Sequence, residues 1–232
     1  MKSFLLVPLL LLALLTLTGC ERYAWRQKLT VTVETPEGEV SGASVSQVSW
    51  RKHWIRTDGM GWTFDLTGEA VVVEVTPGRY LFALLKGAGT REYMGSVAAA
   101  SMAGREGRMI DAALFDEVRD KRDRAAGVIA LPVYQYPLLV TFADIADPST
   151  VQLVDPTDLA ASFGPGVRLK SVTLEMTDEP VTEGVVNEVL PSAFFQTWAS
   201  DNHKAFSHGR GAEYARSLQG NLTRSDFITE RQ

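Results

Sequence analysis

The chain has 232 residues, of which 45% are hydrophobic and 22% are charged, and its formal net charge is −5. This composition is that of a globular protein, and the negative charge disfavours binding to nucleic acid or to anionic lipid through bulk electrostatics. The length suffices for one large domain or two small ones, with a core that needs no disulfide bonds.

Residues 1–19 have the pattern of an export signal. Lys2 supplies a positive charge, an almost purely apolar run extends from Phe4 to Leu17, and small residues follow at once. The run is shorter than the about 20 apolar residues that cross a bilayer comfortably. It therefore predicts a signal peptide that is removed on export.

The end of this segment, Leu17-Thr18-Gly19-Cys20, resembles the lipobox of bacterial lipoproteins. The resemblance implies cleavage between Gly19 and Cys20 and attachment of lipid, palmitate included, to the cysteine sulfur. Cys20 is the only cysteine in the chain, so it cannot form an intramolecular disulfide bond in the oxidising compartment. An ordinary secretory signal with a stray cysteine is the alternative.

The residue after the lipobox bears on the membrane. In the lipoprotein class that the lipobox resembles, Asp after the cysteine marks retention in the inner membrane. Glu21 here implies the periplasmic face of the outer membrane, with membrane lipid as the partner of acylated Cys20. We expect residues 20–27 to form a short tether and residues 28–232 to form a single periplasmic domain.

The first part of that domain, residues 28–86, predicts an antiparallel β unit. Apolar and polar residues alternate from Lys28 to Glu34, as in a half-buried strand. Glu39 to Trp50 predicts a second strand, and a slip in its alternation indicates a bulge near Gly42. Farther on, Thr76-Pro77-Gly78-Arg79 between two apolar runs fits a type II turn.

The segment Trp50 to Arg56 interleaves aromatic and basic residues. Trp50 and Trp54 lie on one face of a predicted strand with Lys52 and Arg56. They are candidate ligand or surface residues, because rings beside cations stack on sugars or lie at lipid interfaces. The alternative is that the tryptophans cover a core edge while the cations reach solvent.

The rest of the chain predicts a mixture of helices and strands. Helical spacing of apolar residues indicates an amphipathic helix from Arg108 to Arg124, inside a helical insert over 97–124. A second β/α segment over 138–190 contains a long strand with a bulge near Lys170. The tail, 191–232, holds an aromatic cluster and a final strand from Leu222 to Ile228. The predicted fold class is thus α+β, mainly antiparallel β in a sandwich-like sheet, with the inserted helix and short capped helices.

Four carboxylates between residues 144 and 158 are the densest acidic group: Asp144, Asp147, Asp155 and Asp158. They are candidates for binding a hard cation or for acid–base catalysis. The alternative is helix capping, with Asp155 at an N-cap, Pro156 at the first helical position and the helix ending at Phe163. The spacing of a calcium-binding loop is absent, and we predict neither a metal site nor a cofactor.

The segment from Leu138 to Leu190 resembles a family of uncharacterised proteobacterial exported proteins. The resemblance implies one integrated domain, and the family carries no activity to transfer. The residues that carry it are Leu139-Val140-Thr141-Phe142, Asp155-Pro156-Thr157-Asp158-Leu159-Ala160, Phe163-Gly164-Pro165-Gly166-Val167-Arg168-Leu169 and Thr177-Asp178-Glu179-Pro180-Val181-Thr182.

Two functional hypotheses follow from the sequence. The first is a non-enzymatic lipoprotein that binds a partner in the cell envelope or has a structural role there. The second is an envelope enzyme that uses carboxylates of the 144–158 region or Asp178 and Glu179. The first is favoured, because function must be argued from a site and the sequence contains no recognisable catalytic constellation.

Overall fold

The computed structural model describes residues 22–52, 61–87, 93–103, 111–123 and 127–230. Within these ranges ten strands form two antiparallel sheets, and eight α-helices pack around them. This architecture confirms the predicted α+β class with a sandwich-like pair of sheets.

The strands are β1 (Arg22–Thr35), β2 (Gly38–Lys52), β3 (Trp62–Glu69), β4 (Val71–Thr76), β5 (Arg79–Gly87), β6 (Ile129–Ala130), β7 (Pro137–Phe142), β8 (Val151–Leu153), β9 (Arg168–Met176) and β10 (Ile228–Thr229). The six-stranded sheet has the order β10-β3-β2-β1-β9-β6, and the four-stranded sheet has the order β4-β5-β7-β8. Two 3₁₀ turns, Val133–Gln135 and Pro148–Thr150, precede β7 and β8.

The helices lie in the insert between β5 and β6 and in the C-terminal half of the chain. They are α1 (Tyr93–Ala103), α2 (Ala112–Asp123), α3 (Ala160–Phe163), α4 (Val185–Val189), α5 (Ser192–Ser207), α6 (Gly211–Tyr214), α7 (Leu218–Asn221) and α8 (Arg224–Phe227).

β1 and β2 form a long hairpin that dominates the larger sheet. Their pairing runs without a register shift from Arg22 opposite Arg51 to Thr35 opposite Gly38. Every second residue of β1 from Trp25 onward is buried, so the predicted half-buried strand is confirmed. However, β1 begins at Arg22 rather than at Lys28, so residues 22–27, which the sequence predicts to belong to a tether, are part of the sheet.

The predicted bulge near Gly42 is wrong, since β2 pairs continuously with β1. The apolar pattern slips because Val45, on the outer face of the sheet, is also buried. Thr182 covers it: the Val45 N–H donates to the Thr182 hydroxyl at 2.9 Å, and the Thr182 N–H donates to the Val45 carbonyl at 3.0 Å. The apolar residue on the outer face of β2 is therefore explained by a distant segment that covers it, and not by a bulge in the strand.

The four-stranded sheet is the middle of three layers. On β5, Leu81 and Ala83 face a core shared with the six-stranded sheet, whereas Phe82 and Leu84 face a second core under α5. Burial on both faces explains why β5 reads as a continuous apolar run. The tight turn before β5 has Gly78 at a φ of 72°, as the predicted type II turn requires.

The helices α1 and α2 cover the part of the β1–β2 hairpin that includes Arg22. The Phe115 ring of α2 lies 5.0 Å from that of Tyr23 and 6.2 Å from that of Trp25, between centroids. Buried Gln27 donates from Nε2 to the Met94 carbonyl of α1 at 2.7 Å. The predicted helix from Arg108 is observed only from Ala112, and residues 104–110 lie outside the described ranges.

Two predictions for the second half of the chain have opposite outcomes. The bulge in β9 is confirmed, because Thr32 pairs with Ser171 and Val33 with Leu169, leaving Lys170 between them. The final strand from Leu222 to Ile228 is wrong: most of this segment is α8, and β10 has only two residues. A capping box between Thr223 and Asp226 fixes the start of α8 and so favours helix there.

Gly42 permits close contact between the two sheets. A Cβ atom at this position would lie 2.0 Å from the Val72 carbonyl oxygen of β4, a backbone atom that cannot rotate away. We expect Gly42→Ala to lower the free energy of unfolding by about 1–3 kcal/mol, because the sheets must separate. Urea denaturation measures this, with Gly127→Ala as the control because a Cβ there meets no atom within 4 Å. Equal stabilities of the two variants would contradict the prediction.

Candidate functional site

A large cleft opens at the edge of the six-stranded sheet, and we call it the edge cleft. Its volume is about 1140 Å³. It is lined by β3 from Phe64 to Thr67 with neighbouring side chains of β1 and β2, and by the C-terminal segment from Thr223 to Glu230. Leu85 and Lys86, at the end of β5, also line it.

The edge cleft exists because β10 is too short to cover β3. β10 pairs only with Gly68 and Glu69, and the Ala70 N–H donates to the Phe227 carbonyl at 2.7 Å just beyond. In the described part of the chain no strand pairs with residues 64–67 on the side away from β2. Main-chain groups of an uncovered edge strand can hydrogen-bond to another extended chain.

Charged side chains of both signs surround this edge. Arg51 and Asp65 form an exposed ion pair at 2.7 Å. Lys86 donates to the Asn221 carbonyl at 3.0 Å and lies 4.0 Å from the carboxylate of Asp226. An exposed pair such as Arg51–Asp65 contributes little to stability. The cleft is therefore a polar surface that can exchange its internal hydrogen bonds for those of a ligand.

The four aspartates between residues 144 and 158 each cap a local turn. Each carboxylate accepts a backbone N–H group two or three residues later. The pairs are Asp144 with Ala146 at 2.9 Å, Asp147 with Ser149 at 2.8 Å, Asp155 with Thr157 at 2.8 Å and Asp158 with Ala161 at 3.2 Å. None of the four lines the edge cleft. Within the described ranges no three His, Cys, Asp or Glu residues are placed to share a metal ion.

The capping interpretation is correct in kind but differs in detail. Asp147 caps the 3₁₀ turn that starts at Pro148. Asp155 closes a turn with Thr157 instead of starting a helix, because α3 begins only at Ala160. Asp158 is the carboxylate nearest the start of that helix and accepts from Ala161.

The other acidic candidates, Asp178 and Glu179, bind the outer face of the sheet. Their carbonyls accept hydrogen bonds from Arg26, at 2.8 and 3.0 Å. The Glu179 carboxylate pairs with Lys28 at 2.8 Å, and this hydrogen bond raises the pKa of the Lys28 ammonium group. Both residues thus fasten the segment that follows β9 to β1.

Trp50 is a core residue and is only 1% exposed. Its ring packs 4.9 Å from that of Phe64 and 5.3 Å from that of Phe115, between centroids. The alternative interpretation, a tryptophan that covers the core, therefore describes it. Trp54, Gly19 and Cys20 lie outside the described residues.

Sequence patterns did not identify the edge cleft, because its walls come from distant parts of the chain. The only local signal is the Thr223-to-Asp226 spacing of a capping box, which predicts a helix start but not a cleft.

Comparisons of this chain with protein-family models, with curated proteins and with solved structures find no match. Among the described residues, no helix combines the length and the apolar character needed to cross a bilayer.

The turn at Asp155 predicts a dependence of stability on pH. The Thr157 hydroxyl donates to this carboxylate and makes the larger contribution to lowering its pKa below the ordinary 3.8. The Thr157 N–H also donates to it and lowers the pKa further. A lowered folded-state pKa stabilises the protein above the ordinary value, and this contribution disappears as the pH falls through the folded-state pKa. We expect Asp155→Asn to be less stable than wild type at neutral pH and to converge with it in acid.

Urea denaturation of both proteins at about pH 7 and about pH 2.5 checks this expectation. Asp147→Asn should behave alike, because Ser149 lowers the pKa of that carboxyl in the same way. A stability difference that stays constant across the pH range would contradict the prediction.

Proposed function

We propose that the chain is a lipid-anchored periplasmic protein that presents the edge cleft to a polar partner in the cell envelope and acts by binding, not by catalysis. The observation that carries the proposal is the start of β1 at Arg22, two positions after Cys20. Only Glu21 separates the predicted lipid anchor from the first residue of β1. The resemblance to the lipobox, together with Glu21, favours the periplasmic face of the outer membrane.

The edge cleft is close to the proposed anchor. Arg22, the first residue of β1, and its cross-strand partner Arg51 both line it. A partner held near the membrane would therefore meet this cleft first. Its charged and hydroxyl side chains lie beside residues 64–67, where no described strand pairs with the outer edge of β3. They fit the main chain of an extended peptide that adds to β3 as a further strand.

Binding is favoured over catalysis by what the candidate carboxylates do. Each of the four aspartates accepts a backbone N–H within its own turn. Asp178 and Glu179 lie in the segment fastened to Arg26 and Lys28. A carboxylate that holds a turn together is poorly placed to exchange protons with a substrate.

The anchor is tested with Cys20→Ser. We expect this variant to lose incorporation of radiolabelled palmitate and to accumulate as uncut precursor, because the thiol is the lipid acceptor in the class that the lipobox resembles. Thr18→Ser, which keeps the lipobox pattern, is the control and should be processed normally. Unchanged labelling of Cys20→Ser would overturn the proposed anchor.

The cleft is tested with a photo-crosslinking amino acid in intact envelopes. Placed at Thr67, which lines the edge cleft, it should yield a discrete adduct with an envelope protein. The control is the same probe at Thr32 of β1, on the same sheet but outside the cleft. Equal adducts at the two positions, or an adduct at Thr32 alone, would contradict binding in the cleft.

A further inference from the structure

Two arginines face each other at the end of the hairpin where the predicted tether emerges. Arg22 and Arg51 are direct cross-strand partners, and both are exposed. Like charges at such positions destabilise a sheet. Arg51 is compensated by Asp65 at 2.7 Å, whereas Arg22 forms no ion pair with any residue that the structure describes.

Half-buried aromatic rings lie beside further cations at this end. The Lys52 ammonium group lies 5.8 Å from the centroid of the Trp62 ring, and the Arg119 guanidinium group lies 6.0 Å from that of the Tyr23 ring. Arg119 also pairs with Asp116 at 2.8 Å. Rings and cations in this arrangement suit a membrane interface, with the ring in the headgroup region and the cation at phosphate. We call this surface the basic end: Arg22, Tyr23, Arg51, Lys52, Trp62 and Arg119.

The length of the tether decides what the basic end meets. An acylated Cys20 would lie at the level of the headgroups, and two residues reach at most about 7 Å to Arg22. That distance is within the screening length of about 8 Å at physiological salt. The net charge of the chain is negative, and Glu21 adds a carboxylate beside the proposed anchor. The first described residue after the anchor is nevertheless Arg22 of the basic end.

We propose that the basic end docks on anionic phospholipid headgroups of the bilayer that holds Cys20, with Arg22 binding lipid phosphate. The proposal rests on the proposed lipid anchor. The bilayer supplies a negative charge for Arg22, because Asp65 already compensates Arg51. Docking fixes the orientation of the domain. The edge cleft, which shares Arg22 and Arg51 with the basic end, then opens beside the membrane surface.

The test uses the acylated full-length protein with Ala24→Cys. Ala24 is exposed and lies two residues from Arg22 on the same face. Because Cys20 is the only native cysteine and its sulfur carries lipid, the new thiol alone takes a fluorescent label. The protein is reconstituted into vesicles of phosphatidylcholine, with or without phosphatidylglycerol, that also contain a headgroup-attached quencher.

We expect about twofold stronger quenching when phosphatidylglycerol is present, and loss of this difference at about 1 M salt, where screening is nearly complete. In the same background Arg22→Gln should remove most of the difference, and Arg22→Lys should keep it. Arg168→Gln is the matched control, since it removes an exposed arginine from the same sheet near the other end of the hairpin. It should behave like the parent protein.

Each remaining outcome contradicts a defined step. Equal quenching with and without phosphatidylglycerol, or an equal effect of Arg22→Gln and Arg168→Gln, would overturn the docking while leaving the anchor intact. Mass spectrometry of the purified protein reports the anchor separately. Absence of acyl chains on Cys20 would overturn the proposed function, and the docking with it.

Discussion

The inner face of the β1–β2 hairpin is longer than one sheet can cover, and the remaining elements are arranged to cover it. The strand β1 has 14 residues, or about 45 Å of extended chain, whereas β4, which packs against Gly42, has six. The remaining apolar surface, from Tyr23 to Gln27, requires another cover. Helices α1 and α2 provide it: Phe115 packs against Tyr23 and Trp25, and Gln27 donates to the Met94 carbonyl of α1 inside the core. The helical insert therefore completes the cover of the hairpin.

The outer face of the same hairpin is fastened at its centre by the segment that follows β9. This segment bonds Arg26 and Lys28 of β1, then Val45 of β2, and reaches α4 at Gly184. There the buried carboxylate of Glu69 accepts the N–H groups of Gly184 and Val186, at 2.6 and 2.9 Å. A buried carboxylate is costly unless its hydrogen bonds are made. The start of α4 supplies the hydrogen bonds that the Glu69 carboxylate needs. In return, Glu69 accepts from two N–H groups that have no partner within the helix. These bonds join the corner between β3 and β4 to the C-terminal helices.

Sequence patterns predict the elements whose causes are local. The alternation of β1, the turn at Gly78 and the bulge at Lys170 are all readable from nearby residues. The patterns mislead where a distant segment decides the outcome. Val45 indicates a bulge because the sequence does not reveal that Thr182, 137 positions away, covers it. The edge cleft is missed for the same reason, since its walls meet only after folding. The role of the aspartates is ambiguous in the sequence, because a capping carboxylate and a catalytic carboxylate are the same residue type. Only their hydrogen-bond partners in the structure distinguish the two roles.

The hairpin also relates the two proposed surfaces to each other. β1 and β2 pair over their whole length without a register shift, so Arg22 and the β1–β3 side of the edge cleft belong to one continuous sheet. A lipoprotein with a long flexible tether samples many orientations, and the distance of its binding surface from the membrane varies accordingly. Here the proposed anchor enters a strand after one intervening residue. The same pair of arginines borders both the cleft and the end that is proposed to face the bilayer. Lipid contact at Arg22 would consequently set the position of the cleft, and a change at this one residue would alter both surfaces.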